Sequence, residues 1–128
     1  MDSWIGSVDS SYSSIILVKR LIHKEKGLVL LTLNGKQLSS SKSEFLKNVF
    51  QRELDSHNSK LIIDCVNLDM IFSQHMGIIL SYCKKLRTNK GDMHFVNVNS
   101  SIKAVFERFG LLKYLKIFED IDAAVEEF

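Results

Sequence analysis

The chain of 128 residues is long enough for one domain with its own hydrophobic core and too short for two domains of ordinary size. Hydrophobic residues make up 45% of it and charged residues 25%, values near the globular average that exclude a disordered or fibrous protein. The formal charge of +2 is far from the concentrated positive field of nucleic-acid-binding proteins, so a nucleic-acid partner is not expected.

Residues 1–14 are mostly small and polar, and they predict a flexible lead-in without the apolar run of a signal peptide. No stretch of the chain approaches the roughly 18 uninterrupted apolar residues of a membrane span. Cys65 and Cys83 lie in apolar patterns and lack the spacing of a zinc or redox site, which predicts buried free thiols. We therefore expect a cytoplasmic protein.

The first half of the chain contains three predicted strands and one helix. Branched apolar residues indicate two antiparallel strands at 15–22 and 27–34, joined by a short polar turn. In the helix that follows, Ser41 and Glu44 fit a capping box, and apolar residues recur on one face. The nearly all-apolar run 61–66 is typical of a central strand that is covered on both faces.

The second half alternates between helix and strand. Apolar residues at three- and four-residue spacing predict a helix from about Gln74 to Thr88, with Ser73 as its N-cap. The elements expected after it are a strand at 93–98, a helix ended by Gly110, a strand at 114–118 and a helix capped by Asp120. This order predicts an α/β domain with a mixed, mostly parallel sheet of about five strands and four covering helices.

Four features of the sequence occur together in one known family. They are Asn34-Gly35 after an apolar strand, Asp64 at a strand end, the run DMIFSQHMGIIL from Asp69 to Leu80, and the closing segment from Ser101 to Val125. With them the sequence resembles the STAS domain family, and in particular its anti-sigma-factor-antagonist branch. The resemblance implies a STAS domain over residues 15–128, and a regulator that binds a partner and is not an enzyme.

The central run departs from the family at its phosphorylation site. In the family it usually reads Asp-Ser-Ser-Gly-Leu-Gly, and the second serine is phosphorylated by a partner kinase that doubles as an anti-sigma factor. Alignment through the last glycine pairs these positions, in order, with Phe72, Ser73, Gln74, His75, Met76 and Gly77. Gln74 cannot accept a phosphoryl group, which implies a protein locked in one state that resembles the unmodified, binding-competent form. Ser73 is then either a plain helix cap or a substitute phosphosite.

The leading hypothesis is a partner-switching transcription regulator that docks on a serine-kinase-type anti-sigma factor, with a PP2C-type phosphatase as a further partner implied by the resemblance. Phe72 could be an interface anchor or a core residue. No cofactor, metal or membrane insertion is expected. The resemblance implies that the partner-binding residues are Asn34, Gly35, Ser39, Ser40, Ser41, Phe72, Ser73, Gln74, His75, Met76 and Gly77.

Two other interpretations stay open. The first is a non-switching STAS subunit of a larger assembly, such as a stressosome-like scaffold or a lipid-transport complex. The second is a small enzyme or nucleotide-binding protein that uses the same helix start as an anion site, with Cys65 or Ser73 as nucleophile beside His75. The sequence has no glycine-rich loop, and its four histidines lack metal-ligand spacing, which argues against the second interpretation.

Overall fold

The computed structural model describes residues 4–9, 17–34 and 43–128, and within these ranges the chain forms six strands and four helices. None of these helices is long and apolar enough to cross a membrane. In chain order the elements are β1 (Trp4–Asp9), β2 (Leu17–His23), β3 (Val29–Asn34), α1 (Ser43–Asp55), β4 (Lys60–Asn67), α2 (Ser73–Thr88), β5 (Asp92–Val96), α3 (Ser100–Arg108), β6 (Lys116–Phe118) and α4 (Ile121–Glu126).

The strands form one sheet in which neighbours in sequence are also neighbours in space, from β1 at one edge to β6 at the other. The first two pairings, β1 with β2 and β2 with β3, are antiparallel. The other three pairings are parallel, and each is connected through a helix. The predicted α/β domain with a mixed, mostly parallel sheet and four helices is confirmed.

The sheet has six strands because residues of the predicted lead-in form β1. Trp4 to Asp9 pair along their whole length with His23 to Val18 of β2. This segment contains Gly6 and lacks apolar alternation, so its sequence has no strand signal. The strand is stabilised by backbone hydrogen bonding to β2 and not by a pattern of apolar side chains. In addition, the Trp4 ring packs edge-on against the His23 ring, with centroids 5.0 Å apart.

Both faces of the sheet are covered. On one face Leu31 and Ile63 belong to the larger apolar core, which is closed by α1, α2 and α3. On the other face Leu30 and Ile62 belong to a smaller core, which is closed by Ala124 and other residues of α4. Successive residues along β3, and likewise along β4, therefore point into different cores. Because both faces of these strands are buried, their sequences are continuous apolar runs.

The helix ends agree with the predicted caps in α3 and α4. The Asp120 carboxylate accepts a hydrogen bond from the Ala123 N–H at 2.8 Å and caps α4, as predicted. Gly110 follows the end of α3 with φ at 69°, a left-handed conformation that favours glycine. The end of α3 and the start of α4 therefore lie where the sequence predicts them.

Candidate partner-binding site

The loop between β4 and α2 lies at the carboxyl ends of the parallel strands. Leu68 and Ile71 are buried and anchor this loop in the larger core. The Asn99 side-chain amide donates to the carbonyls of Leu68 at 3.0 Å and Asp69 at 3.3 Å. Its oxygen accepts from the Ile102 N–H at 2.8 Å and caps α3. One side chain thus joins the loop to α3, and only its position before a helix could have indicated this from sequence.

Helix α2 begins differently from the sequence prediction. The N-cap is Phe72, with an extended backbone, and Ser73 is the first helical residue. The His75 Nδ1 accepts a hydrogen bond from the Phe72 N–H at 3.2 Å, while the His75 N–H donates to the Phe72 carbonyl at 2.9 Å. The assignment of Ser73 as the N-cap is therefore wrong, because His75 folds back to satisfy the first turn.

The first turn of α2 has a buried side and an exposed side. His75 is 0% exposed and Met76 is 4% exposed, so these two predicted partner-binding side chains lie in the interior. Ser73, Gln74 and Gly77 are exposed, as their spacing on one helical face requires. Of the five helical residues at the predicted site, these three are the ones that a partner can reach without moving the helix.

A groove of about 450 Å³ separates the start of α2 from α3. Phe72 is half-buried and lies on one wall, and Arg108 and Phe109 lie on the other. Phe109 is 46% exposed, high for a phenylalanine. The sequence predicts an apolar position on the third helix here, and no sequence signal assigned it to the candidate site. We define the α2–α3 surface as the three exposed residues at the start of α2 together with three residues of the groove: Ser73, Gln74, Gly77, Phe72, Arg108 and Phe109.

The rest of the predicted partner-binding set begins at the end of β3. Asn34 ends this strand, and its backbone is in register with Asn67 at the end of β4. The structure therefore brings the end of β3 beside the strand that leads into α2. Gly35, Ser39, Ser40 and Ser41 lie outside the described residues, so their predicted contribution to partner binding stays a prediction.

Asp64 has a structural role at the same carboxyl ends of the parallel strands. Its carboxylate oxygen Oδ1 accepts hydrogen bonds from the Val66 N–H at 3.0 Å and from the Asn97 side-chain amide at 2.9 Å. The side chain is buried. It thereby holds together the ends of β4 and β5, from which the chain continues to α2 and α3.

The residues proposed for catalysis are poorly suited to it. Cys65 is buried, and this burial, with a smaller effect from the Asp64 charge, raises the pKa of its thiol to about 12. Such a thiol stays protonated and is a weak nucleophile at neutral pH. The buried His75 ring already accepts a hydrogen bond from the Phe72 N–H. No group of three or more His, Cys, Asp or Glu side chains in the described ranges could hold a metal ion.

The fold and the α2–α3 surface define a class of protein: a small α/β domain with an exposed helix start and an adjoining apolar groove. More specifically, the chain belongs to the STAS domain family, because the family model matches residues 19–124. This confirms the resemblance drawn from the sequence. It also agrees with the expectation that the chain is a binding protein and not an enzyme.

The chain is also similar to proteins that are named as anti-sigma factor antagonists. A candidate anti-sigma factor antagonist of Bordetella bronchiseptica, BtrV, is 24% identical over 111 residues, which cover 87% of this chain and 95% of the relative. The crystal structure of a candidate anti-sigma factor antagonist from Thermotoga maritima has 26% identity and a TM-score of 0.72, covering 78% of this chain and 86% of that one. Unphosphorylated SpoIIAA, an anti-sigma factor antagonist, shares the fold at 18% identity, with a TM-score of 0.66 and the same two coverages.

Gly77 allows a test of how the first turn of α2 is built. Apart from the neighbouring residues and the backbone of its own helix, an added Cβ would have no heavy atom within 4 Å, and the position is an exposed one inside α2. Gly77→Ala is therefore expected to stabilise the protein by about 0.5–1 kcal/mol, because alanine loses less backbone entropy than glycine on folding. Urea denaturation followed by circular dichroism measures the change. A loss of stability would contradict the regular helical turn described above.

Proposed function

We propose that this protein is an anti-sigma factor antagonist of the cytoplasm that binds a serine-kinase-type anti-sigma factor through the α2–α3 surface. The observation that carries the proposal is the exposed Gln74 in the first turn of α2, in a STAS domain whose sequence aligns this residue with the family's phosphoserine. The names of BtrV and SpoIIAA support an anti-sigma factor as the partner.

Gln74 makes the proposed interaction insensitive to phosphorylation at this position. A phosphate group carries about −1.5 to −2 charges at neutral pH and opposes binding when it lies in an apolar contact face. The neutral amide of Gln74 adds no charge and cannot be phosphorylated. The protein then stays in its binding-competent state, and a PP2C-type phosphatase has no substrate at residue 74.

Ser73 is the substitute that could restore a switch. Phe72 is the N-cap of α2 and His75 completes the first turn, so the Ser73 hydroxyl is not needed as a cap. Its side chain is exposed at the edge of the groove. The family motif places the phosphate acceptor at position 74, which favours the locked state, and phosphorylation of Ser73 would overturn it.

The test uses the purified full chain and each serine-kinase-type anti-sigma factor of the source organism, with Mg²⁺ and ATP. We expect the wild type to bind one of them and to carry no phosphate after incubation. Gln74→Ser should become phosphorylated and lose about tenfold or more in affinity. Calorimetry measures affinity, and mass spectrometry locates the phosphate.

Gln74→Ala is the matched control, because it removes the amide without providing a phosphate acceptor. It should bind with or without prior incubation with ATP. Stoichiometric phosphate on Ser73 of the wild type, lost in Ser73→Ala, would contradict the locked state. If no such anti-sigma factor binds and the chain co-purifies with a scaffold or a lipid-transport complex, the proposal gives way to the assembly-subunit interpretation.

A further inference from the structure

His94 lies in the middle of β5, on the sheet face that α4 covers, and its side chain is fully buried. Its Nδ1 is 2.8 Å from the carbonyl oxygen of Ala124 in α4. Because a carbonyl can only accept, Nδ1 carries the proton of the neutral ring and Nε2 is the unprotonated nitrogen. Within the part of the chain that the structure describes, Nε2 has no hydrogen-bond partner.

The imidazole also holds the end of the chain through ring contacts. It stacks on Phe128, with centroids 3.8 Å apart and planes at 14°. On β6, the Phe118 ring lies at 4.7 Å. The hydrogen bond to Ala124 lies within α4, a helix of six residues, and the stack on Phe128 lies just beyond its end. Since so short a helix buries little surface of its own, these contacts have a large share in keeping it docked.

A proton on Nε2 would find no free counter-charge. The Asp92 Oδ2 lies 4.0 Å away, but it is already 3.1 Å from the Lys116 ammonium of β6. The other oxygen of Asp92 accepts from the Arg87 guanidinium at 2.8 Å and from the Met93 N–H at 2.8 Å. The carboxylate is thus neutralised by two cations before His94 gains any charge.

The remaining neighbours do not compensate for the buried charge. β4 presents Ile62, which is paired with His94 in the sheet and is apolar. Burial is the largest influence, and it lowers the pKa of His94 below the value of a free imidazole. The Ala124 hydrogen bond and the charges of Asp92 and Glu127 raise this pKa and the Lys116 charge lowers it, but together they do not offset the effect of burial.

We propose that His94 makes α4 an acid-sensitive latch, in which the neutral imidazole keeps the helix docked and protonation of Nε2 releases it from the sheet. Release would expose the apolar face that includes Leu30, Ile62 and Val96. The undocked ring binds a proton more readily than the docked ring. Docking is therefore strongest above the pH range in which a free imidazole titrates, and it weakens as the pH falls through that range.

Hydrogen exchange of the full chain at pH 7.5 and pH 5.0 tests the latch, with rates corrected for the intrinsic effect of pH. We expect protection of the α4 amides to fall by about fivefold or more at the lower pH, while that of α2 falls much less. His94→Asn offers an amide donor for the Ala124 carbonyl without a titrating group, and it should abolish the pH effect. Equal α4 protection at both pH values, or the same loss in His94→Asn, would overturn the proposal.

Imidazole resonances of the wild type provide a second test that does not depend on how the variant folds. The His94 ring is expected to titrate below about pH 6.5, the value of a free imidazole. The amide resonances of Ala124 and Phe128 should shift with the same midpoint. Titration of His94 at or above the free value, or titration without any change in α4, would refute the latch.

Discussion

Gly91→Ala is expected to destabilise the protein by about 3 kcal/mol or more, because this residue has no room for a side chain. Gly91 precedes β5 and lies against Ser59, which precedes β4. An added Cβ would overlap the Ser59 carbonyl and come within 2.7 Å of the Ser59 Cβ. The obstructing atoms are mainly backbone, so no change of rotamer relieves the overlap and the starts of the two strands must move apart.

That movement would disturb the pairing of the two strands where it begins. The Asp92 N–H donates to the Ser59 carbonyl at 3.0 Å, and Lys60 pairs with Asp92 as the first residue pair of β4 and β5. Urea denaturation should show a lower midpoint with little change in slope. Gly77→Ala is the matched control, since the same substitution in open space is expected to stabilise. Similar effects at the two positions would contradict the close approach of Gly91 to Ser59.

Arg20→Ala is expected to cost about 2–3 kcal/mol, because it leaves a buried carboxylate without its cation. Glu53, in α1, has a side chain that is 1% exposed. The Arg20 guanidinium of β2 binds it through two hydrogen bonds, Nε to Oε2 at 2.8 Å and Nη2 to Oε1 at 3.0 Å. The Arg20 side chain is 29% exposed, so water screens part of the charge and the estimate lies below that for a fully buried pair.

Chemical denaturation of three variants would separate this ion pair from general effects on α1. Lys47→Ala changes an exposed residue of the same helix and should alter stability by no more than about 0.5 kcal/mol. The double variant Arg20→Ala, Glu53→Gln removes the buried charge, and the Asn58 amide that bonds Glu53 at 2.9 Å remains. The double variant should therefore be more stable than Arg20→Ala and less stable than the wild type. If Arg20→Ala costs no more than Lys47→Ala, the pair does not anchor α1 to the sheet.

Local patterns were sufficient for most of the architecture. The apolar run 61–66 predicted a central strand covered on both faces, and β4 has its two faces in two different cores. The order of the elements from β3 to α4 was also predicted correctly, because the spacing of apolar residues and the capping residues are local features of each segment. Asp120 illustrates the reason: its hydrogen bond goes to Ala123, three residues away, so the sequence contains both partners side by side.

Features that depend on distant partners could not be predicted in this way. β1 exists through backbone pairing with β2, which no side-chain pattern of residues 4–9 records. The groove needs α3 beside the start of α2, and only there does Phe109 become part of the candidate site. Such contacts arise after elements that are far apart in sequence have packed together.

By itself the sequence determined the fold class, the family and the departure at Gln74 from its phosphoserine. The tertiary structure decided which side chains of that segment can meet a partner: it turned His75 inward as part of the first turn of α2 and left Ser73 exposed. It also decided that His94 joins α4 to the sheet. The physical reason is that residue type sets what a side chain can do, whereas burial and neighbouring charge, which come from packing, set what it does.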